Sequence, residues 1–442
     1  MEKNGLLIFG SEKENINIIN KMEYYYSNLY NNSEEPIIII GSGIAGLYCA
    51  YHLSKTGKNV IVFEKYDQLG GRMLSIDIQP KKKEKYLIEG GAGVIRSDDI
   101  EMIDLAKELD VEMNFWDSKT DIIYHDSKTN KNKLLDLDYK RIIQKVCKNS
   151  DDSKSFLEVV ENSNLSQEQI TGLLIGTSYS ELYEANSRQV CEDNDLEEFM
   201  NISKYKYGKP AKGWRYLIDA LKNEILANKG QIYTNTPVLK IDDTSVIVDL
   251  DSEPTKFKFS KLFVTAPVHF IKEIELTPSL NEWYDTINNL ISETNYLRVY
   301  SYFESPLKID NKIVTNLSIR RIIPIRDNLI MTVYTDGHDA DMIYNMSKSK
   351  DKKKLSRYIM KELKKLLGFK KMPKIKENYP IYWKNGISSW NPSFEELDSI
   401  IPFIQNPIPN VYFCGDTYSI NPGWVTGALS SANEVLNLIN NN

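Results

Sequence analysis

Histidine and cysteine are scarce: the 442 residues hold four of each. His52, His125, His269 and His338 share no ligand spacing, so no metal site is expected. Cys49, Cys147, Cys191 and Cys414 lack C-x-x-C spacing and read as reduced, mostly structural thiols of a cytoplasmic protein. No apolar run is long enough to span a bilayer. The opening MEKNGLLIFG has no basic stretch leading into a long apolar one, and LNLINNN at the other end is neither an anchor nor a peroxisomal address. Neither a secretory signal nor a membrane partner is therefore expected. An excess of positive charge is also lacking: 55 Lys and Arg stand against 61 Asp and Glu, a formal charge of −6. That argues against nucleic acid and weakly favours cationic ligands.

What is present is enough for a large fold. Apolar residues make up 41% of the chain, and 442 residues exceed what one ordinary core fills, so two or three packed units are expected. The clearest stretch is IIIIGSGIAGLYCAYHLSKTGKNVIVFEKYDQLGGR, residues 37–72. Four isoleucines make a short buried strand. Gly41-Ser42-Gly43-Ile44-Ala45-Gly46 then matches G-x-G-x-x-G. Gly41 serves the tight turn, Gly43 admits a pyrophosphate to the backbone, and Gly46 lets helix and strand pack closely. A helix over about 44–56 offers its N-terminus to phosphate. A second strand follows and ends at Glu64, placed to accept hydrogen bonds from ribose hydroxyls. The acid argues against NADP, whose 2′-phosphate it would repel. Gly70-Gly71-Arg72 adds a planar fork of donors suited to phosphate.

Farther along, organisation is softer. Residues 1–35 form an N-terminal extension in which 17–30 has helical spacing. Lys81 to Lys85 read as a solvated hairpin tip, and 348–357 as a charged helix start. The chain looks mostly helical and polar up to about residue 207. An amphipathic helix is expected at 214–227, short strands over 231–261, and a strand-rich region over 296–335.

These motifs resemble the FAD-dependent amine oxidase superfamily, over about 36–439. The resemblance is carried by the first βαβ unit with its G-G-R element, by LIEGGAGVIRSDD, by TPVLKIDD, and by YFCGDTYSINPGWVTGALSSANEVL. It implies an α/β fold: a Rossmann-like FAD-binding domain of the glutathione reductase type with a discontinuous α+β substrate domain. The expected boundaries are 36–100, 208–275 and 400–442 for the FAD-binding domain, and 101–207 and 276–399 for the substrate domain. Non-covalent FAD would be held by Gly41, Gly43, Ile44, Ala45, Gly46, Glu64, Gly71, Arg72, Gly91, Ala92, Val238, Gly415, Asp416, Trp424 and Val425. Trp424 would also wall the substrate against the flavin, and Ile387 and Trp390 would line the pocket. Asp416 stands where the family usually has Glu.

Two departures bear on chemistry. Arg298 occupies the place of a lysine that many members set opposite flavin N5, and an arginine stays charged and cannot act as a base. Val94 falls where amino acid oxidases of the family place a carboxylate-binding arginine, with Arg96 two residues later. The implied activity is amine oxidation by hydride transfer to flavin N5, giving an imine and then an aldehyde or keto product, with O2 reduced to H2O2. An amine without a carboxylate, such as a polyamine or arylalkylamine, is the favoured substrate, although Arg96, Arg320 or Arg321 could capture a carboxylate. Alternatives are an amino acid oxidase-like, desaturase-like or porphyrinogen oxidase-like flavoenzyme, or a binding protein like the GDP-dissociation inhibitors.

Overall fold

The computed structural model describes residues 35–440 apart from 83, 178, 193–195, 197–204, 370 and 394–395. The helix expected at 17–30 lies outside the described residues. Two sheets dominate. The first is parallel and five-stranded, in the order Gln231–Tyr233, Val60–Phe63, Ile37–Ile40, Lys261–Val264, Val411–Phe413. Its central strands are apolar on both faces, as a parallel sheet covered on both sides requires. One face carries the helices Ile44–Lys55, Trp214–Ala227 and Val425–Asn440 over a core that includes Leu47, Leu217 and Leu429. The other face packs against the antiparallel strands of 238–258 and the helices Pro278–Leu290 and Leu397–Gln405. This is the doubly covered Rossmann-like architecture expected from the first βαβ unit.

The second sheet has seven strands, in the order Ile375–Trp390, Ile291–Phe303, Leu329–Asp336, Arg321–Arg326, Lys312–Thr315, Thr120–Asp126, Lys131–Leu134. Thr120–Asp126 pairs in parallel with Lys312–Thr315, so a stretch expected to be helical supplies strands to this sheet. Its β-branched and aromatic residues Thr120, Ile122, Ile123 and Tyr124 suit a strand, a signal that the polar composition of the surrounding region had masked. The helical part proper is 139–192, a group of short helices around Phe156, Val160 and Leu173. Two of those helices open with complete capping boxes, at Ser155 with Glu158 and at Ser166 with Gln169.

The cysteines divide. Cys49 and Cys414 are free and buried, with sulfurs 3.8 Å apart. Cys147 and Cys191 form a disulfide across 44 residues of sequence. The reading of all four as reduced is therefore corrected, and the cysteines no longer argue for a reducing compartment. No helix among the described residues is long and apolar enough to cross a membrane.

Candidate active site

A cavity of about 660 Å³ runs from the C-terminal edge of the parallel sheet to the inner face of the seven-stranded sheet. At the sheet end the chain turns through Gly41 with φ +99° and enters the helix at Ile44, with Gly43 as its N-cap. A Cβ on Gly46 would stand 2.1 Å from Gly41 O, whereas one on Gly43 would meet nothing within 4 Å. Gly46 is thus required by packing, and Gly43 presents bare backbone to the cavity. Gly70 pairs with Gly43, and Gly71 packs on it, its would-be Cβ 3.4 Å from Gly43 Cα. Arg72 follows and forms a two-pronged ion pair with Asp416, Nη1 to Oδ2 at 2.7 Å. The Gly423 amide also donates to Asp416 Oδ2, at 3.2 Å. This ties the first βαβ unit to the loop that carries Trp424.

The strand Tyr86–Glu89 leads into Gly90 to Gly93 along the cavity floor. The Ala92 amide donates to Arg72 O at 2.8 Å, and a Cβ on Gly91 would lie only 1.7 Å from that oxygen. Two aromatic side chains hold this turn from above. Tyr300 donates its hydroxyl to Glu89 O at 2.7 Å, and Trp383 donates Nε1 to Gly90 O at 2.8 Å. The Glu89 carboxylate is engaged by Ser75 at 2.7 Å and by Lys209 at 3.2 Å.

The far end is an aromatic chamber. Tyr179, Tyr296 and Tyr334 form a triad with ring centroids 5.1–5.7 Å apart. Arg298 is 7% exposed; it donates to Tyr334 Oη at 2.7 Å and to Glu89 O at 3.3 Å, with its guanidinium 4.3 Å from the Tyr334 ring centroid. Arg321 is 5% exposed and lies 4.9 Å from the Tyr179 ring and 5.4 Å from that of Tyr334. Burial pushes the Tyr179 and Tyr300 hydroxyls upward in pKa. Burial also acts upward on Tyr334, but Arg298 and Arg321 outweigh it, and the net shift is downward.

The family model for flavin-containing amine oxidoreductases matches residues 151–436, and one for NAD(P)-binding Rossmann-like domains matches 39–109. The chain belongs to the flavin-containing amine oxidoreductases. Over 92% of its length it is 22% identical to Uncharacterized protein R188 of Acanthamoeba polyphaga mimivirus, covering 94% of that protein. It is 36% identical to amine oxidase [flavin-containing] B of Canis lupus familiaris over 89 residues, which is 20% of this chain but 16% of that enzyme. Among solved structures, a wild-type putrescine oxidase bound to putrescine aligns with a TM-score of 0.73 at 15% identity, over 92% of this chain and 99% of that one. That likeness establishes a shared fold.

The protein is accordingly an FAD-dependent oxidoreductase, and its residues fit the cofactor. The bare Gly43 backbone at a helix N-terminus, the adjacent guanidinium of Arg72 and the glycine floor of 90–93 form a cradle that side chains would fill. Of the residues expected to hold FAD, Gly43, Ile44, Ala45, Arg72, Gly91, Ala92, Gly415, Asp416, Trp424 and Val425 line the cavity, as does Arg298. Gly41 and Gly46 shape the turn without lining the cavity, and Gly71, which is exposed, packs on Gly43. Glu64 does not line it either; its Oε2 accepts from Ser42 N at 2.9 Å and Ser42 Oγ at 2.5 Å, so a ribose hydroxyl would compete with Ser42. Val238 is buried where its strand pairs with Val248, away from the cavity wall.

Trp390 is a correction. Ile387 lines the cavity, but three residues on the strand has left it. Trp390 is 0% exposed, sits in the core below the parallel sheet and donates Nε1 to Ser419 O at 2.8 Å. Its role is packing. The chamber tyrosines and Trp383 were not anticipated. A signal existed for Tyr296: with Arg298 and Tyr300 it stands at alternate positions of one strand, and all three reach the cavity.

Proposed function

We propose that the chain oxidises an amine at its α-carbon to an imine, which water converts to a carbonyl product, with dioxygen as terminal acceptor. The amine gives up a hydride and a proton, and O2 takes the two electrons and two protons to leave as H2O2. When bound, FAD supplies the two-electron acceptor between these half-reactions. The observation that carries the reading is the continuity of one cavity from the Gly43–Arg72–Asp416 cradle to the aromatic chamber.

The chain's own residues have three tasks. Trp424 and Trp383 wall the passage, and Trp383 is fixed by its bond to Gly90 O. Tyr300 and Arg298 hold the start of the glycine floor through Glu89 O. The buried guanidinium of Arg298 lies on the Tyr334 ring, and a nearby cation disfavours an ammonium. The substrate nitrogen is thereby biased toward its neutral form without a side-chain base, a task that no arginine performs.

The test is anaerobic mixing of the yellow protein with amines, followed by admission of oxygen. Bleaching by an amine, then recovery with one equivalent of H2O2, is expected. Failure of every amine to bleach the flavin would sink the reading and favour a desaturase-like reaction. Recovery without H2O2 would remove dioxygen as the acceptor.

A further inference from the structure

Two of the three chamber tyrosines are fixed by the sheet. Tyr296 and Tyr334 stand on Ile291–Phe303 and Leu329–Asp336, which pair with each other. Tyr179 belongs to no strand. It comes from the helical part, between the helices Gln167–Gly176 and Glu181–Glu184. Its ring nevertheless lies 5.4 Å from that of Tyr296 and 5.7 Å from that of Tyr334, and it is 7% exposed.

The hold on Tyr179 comes from the next residue. Ser180 donates its amide, at 2.8 Å, and its hydroxyl to Oδ2 of Asp336. Asp336 is 1% exposed and ends the strand of Tyr334, two residues beyond it. It also occupies the N-cap of the helix Gly337–Ser347, where an aspartate ordinarily accepts from the first amides of its own helix. Its side chain makes no such bond and reaches across to the helical part instead. Arg320 Nε backs the other oxygen, 3.6 Å from Asp336 Oδ1 and 3.6 Å from Asp339 Oδ2. A second attachment follows on the strand Ile375–Trp390. There Asn186 N donates to Trp390 O at 2.8 Å, and Trp390 N donates to Gln189 Oε1 at 2.8 Å. Residues 180–189 are thus pinned at one end to the strand of Tyr334 and at the other to the strand of Ile387, and both of those side chains line the cavity.

Packing alone lets an element slide by fractions of an ångström, whereas hydrogen bonds to a carboxylate are short and directional. We propose that Asp336 is a positioning residue of the chamber: through Ser180 it seats Tyr179 against Tyr334 and Tyr296, and the gap so fixed sets how wide an amine the chamber admits. Ser180 and Asp336 are not among the cavity-lining residues, whereas Tyr179 is, so the two act through Tyr179. The seating of Tyr179 stands on this geometry by itself; its effect on specificity rests on the amine-oxidising reading of the same cavity.

Two measurements on the FAD-loaded protein test it. The first needs no substrate. Nitration of Tyr179 by tetranitromethane is followed by mass spectrometry of the peptide that contains it. It should be slow in the parent, at least fivefold faster in Asp336→Ala, faster also in Ser180→Ala, and near the parent rate in Ser180→Thr, which keeps the hydroxyl. Ser166→Ala is the control. It breaks a capping box in the same helical part, where Ser166 Oγ accepts from Gln169 N at 3.3 Å, and should lower the unfolding temperature without exposing Tyr179. Nitration unchanged in Asp336→Ala, or raised as much in Ser166→Ala, overturns the proposal. The second measurement compares butylamine with the wider naphthylmethylamine in anaerobic bleaching. The efficiency of the wider amine relative to the narrower should rise at least fivefold in Asp336→Ala and Ser180→Ala, chiefly through KM, and should hold in Ser180→Thr and Ser166→Ala. An unmoved ratio beside faster nitration overturns the link from Tyr179 to specificity. If Asp336→Ala fails to fold, Ser180→Ala against Ser180→Thr carries the same comparison. If no amine bleaches the flavin, the amine reading fails, while nitration still decides whether Asp336 seats Tyr179.

Discussion

The two ends of the cavity recognise their ligands by different means. At the cradle end the wall is mostly backbone: Gly43, the glycine floor and the Gly70–Gly71 turn approach one another so closely that a Cβ on Gly91 would overlap Arg72 O. Charge there is matched, Arg72 against Asp416. At the chamber end the wall is side chains, tyrosines and arginines from the seven-stranded sheet and the helical part, with guanidiniums lying against tyrosine rings. A dinucleotide presents the same long shape in every relative, which backbone geometry can encode. A substrate differs between relatives, and replaceable side chains on a rigid sheet are the cheaper way to vary it.

The largest expected effects separate packing from binding within the cradle. Gly91→Ala forces a backbone shift against Arg72 O and should cost about 3 kcal/mol or more, with FAD lost because the floor moves. Gly43→Ala is the opposite case. Its Cβ meets nothing in the protein, and φ −62° suits any residue. Unfolding free energy should change by no more than about 0.5 kcal/mol. The FAD dissociation constant should nevertheless rise roughly tenfold or more, equivalent to ~1.4 kcal/mol, because the added methyl occupies the approach to the backbone. Denaturant unfolding and FAD retention on gel filtration read the two quantities separately. Unimpaired retention in Gly43→Ala would mean that the bare turn is not where the phosphates lie.

The matched charge is tested next. Arg72→Met leaves Asp416 without its guanidinium in a site where the carboxylate side chain is 9% exposed and the arginine 31%. Breaking a buried pair costs about 3–5 kcal/mol, and the partial exposure of Arg72 reduces that to about 1–3 kcal/mol. Asp416→Asn keeps an acceptor for the Gly423 amide and should cost less. Equal loss in both variants would show that the pair acts through something other than charge.

The same contrast explains what the sequence made legible. The cradle is written in contiguous residues: a β-branched run, three spaced glycines and a helical period give Ile37–Ile40 and Ile44–Lys55 directly. The rest of the parallel sheet is not, because Gln231–Tyr233, Lys261–Val264 and Val411–Phe413 come from remote stretches and strand periodicity does not name a partner. The chamber is assembled across still larger separations, with Tyr179 from the helical part and Tyr334 from the sheet. Trp390 misled because its neighbour Ile387 does reach the cavity, and a strand that leaves one wall for another core shows no break in composition. The Cys147–Cys191 bond was equally hidden, since a pair separated by 44 residues has no spacing signature.

The smallest expected effect probes the chamber guanidiniums without any ligand. Tyr334 is buried, which raises a phenol's pKa, yet Arg298 and Arg321 draw it below the ordinary tyrosine value while Tyr179 and Tyr300 are pushed above theirs. A lowered pKa means that the phenolate forms at lower pH than in free tyrosine, so in a rising pH scan Tyr334 should ionise before Tyr179 and Tyr300. The ultraviolet tyrosinate band of the protein minus that of Tyr334→Phe isolates its titration. Removing one guanidinium removes part of what favours the phenolate, so Arg298→Met should move that titration to higher pH, and Arg321→Met should move it the same way. At a pH between the two midpoints the parent protein carries the phenolate and the variants do not. An unmoved titration in both variants would show that the guanidiniums do not set the field in the chamber, and would leave its walls as plain aromatic packing.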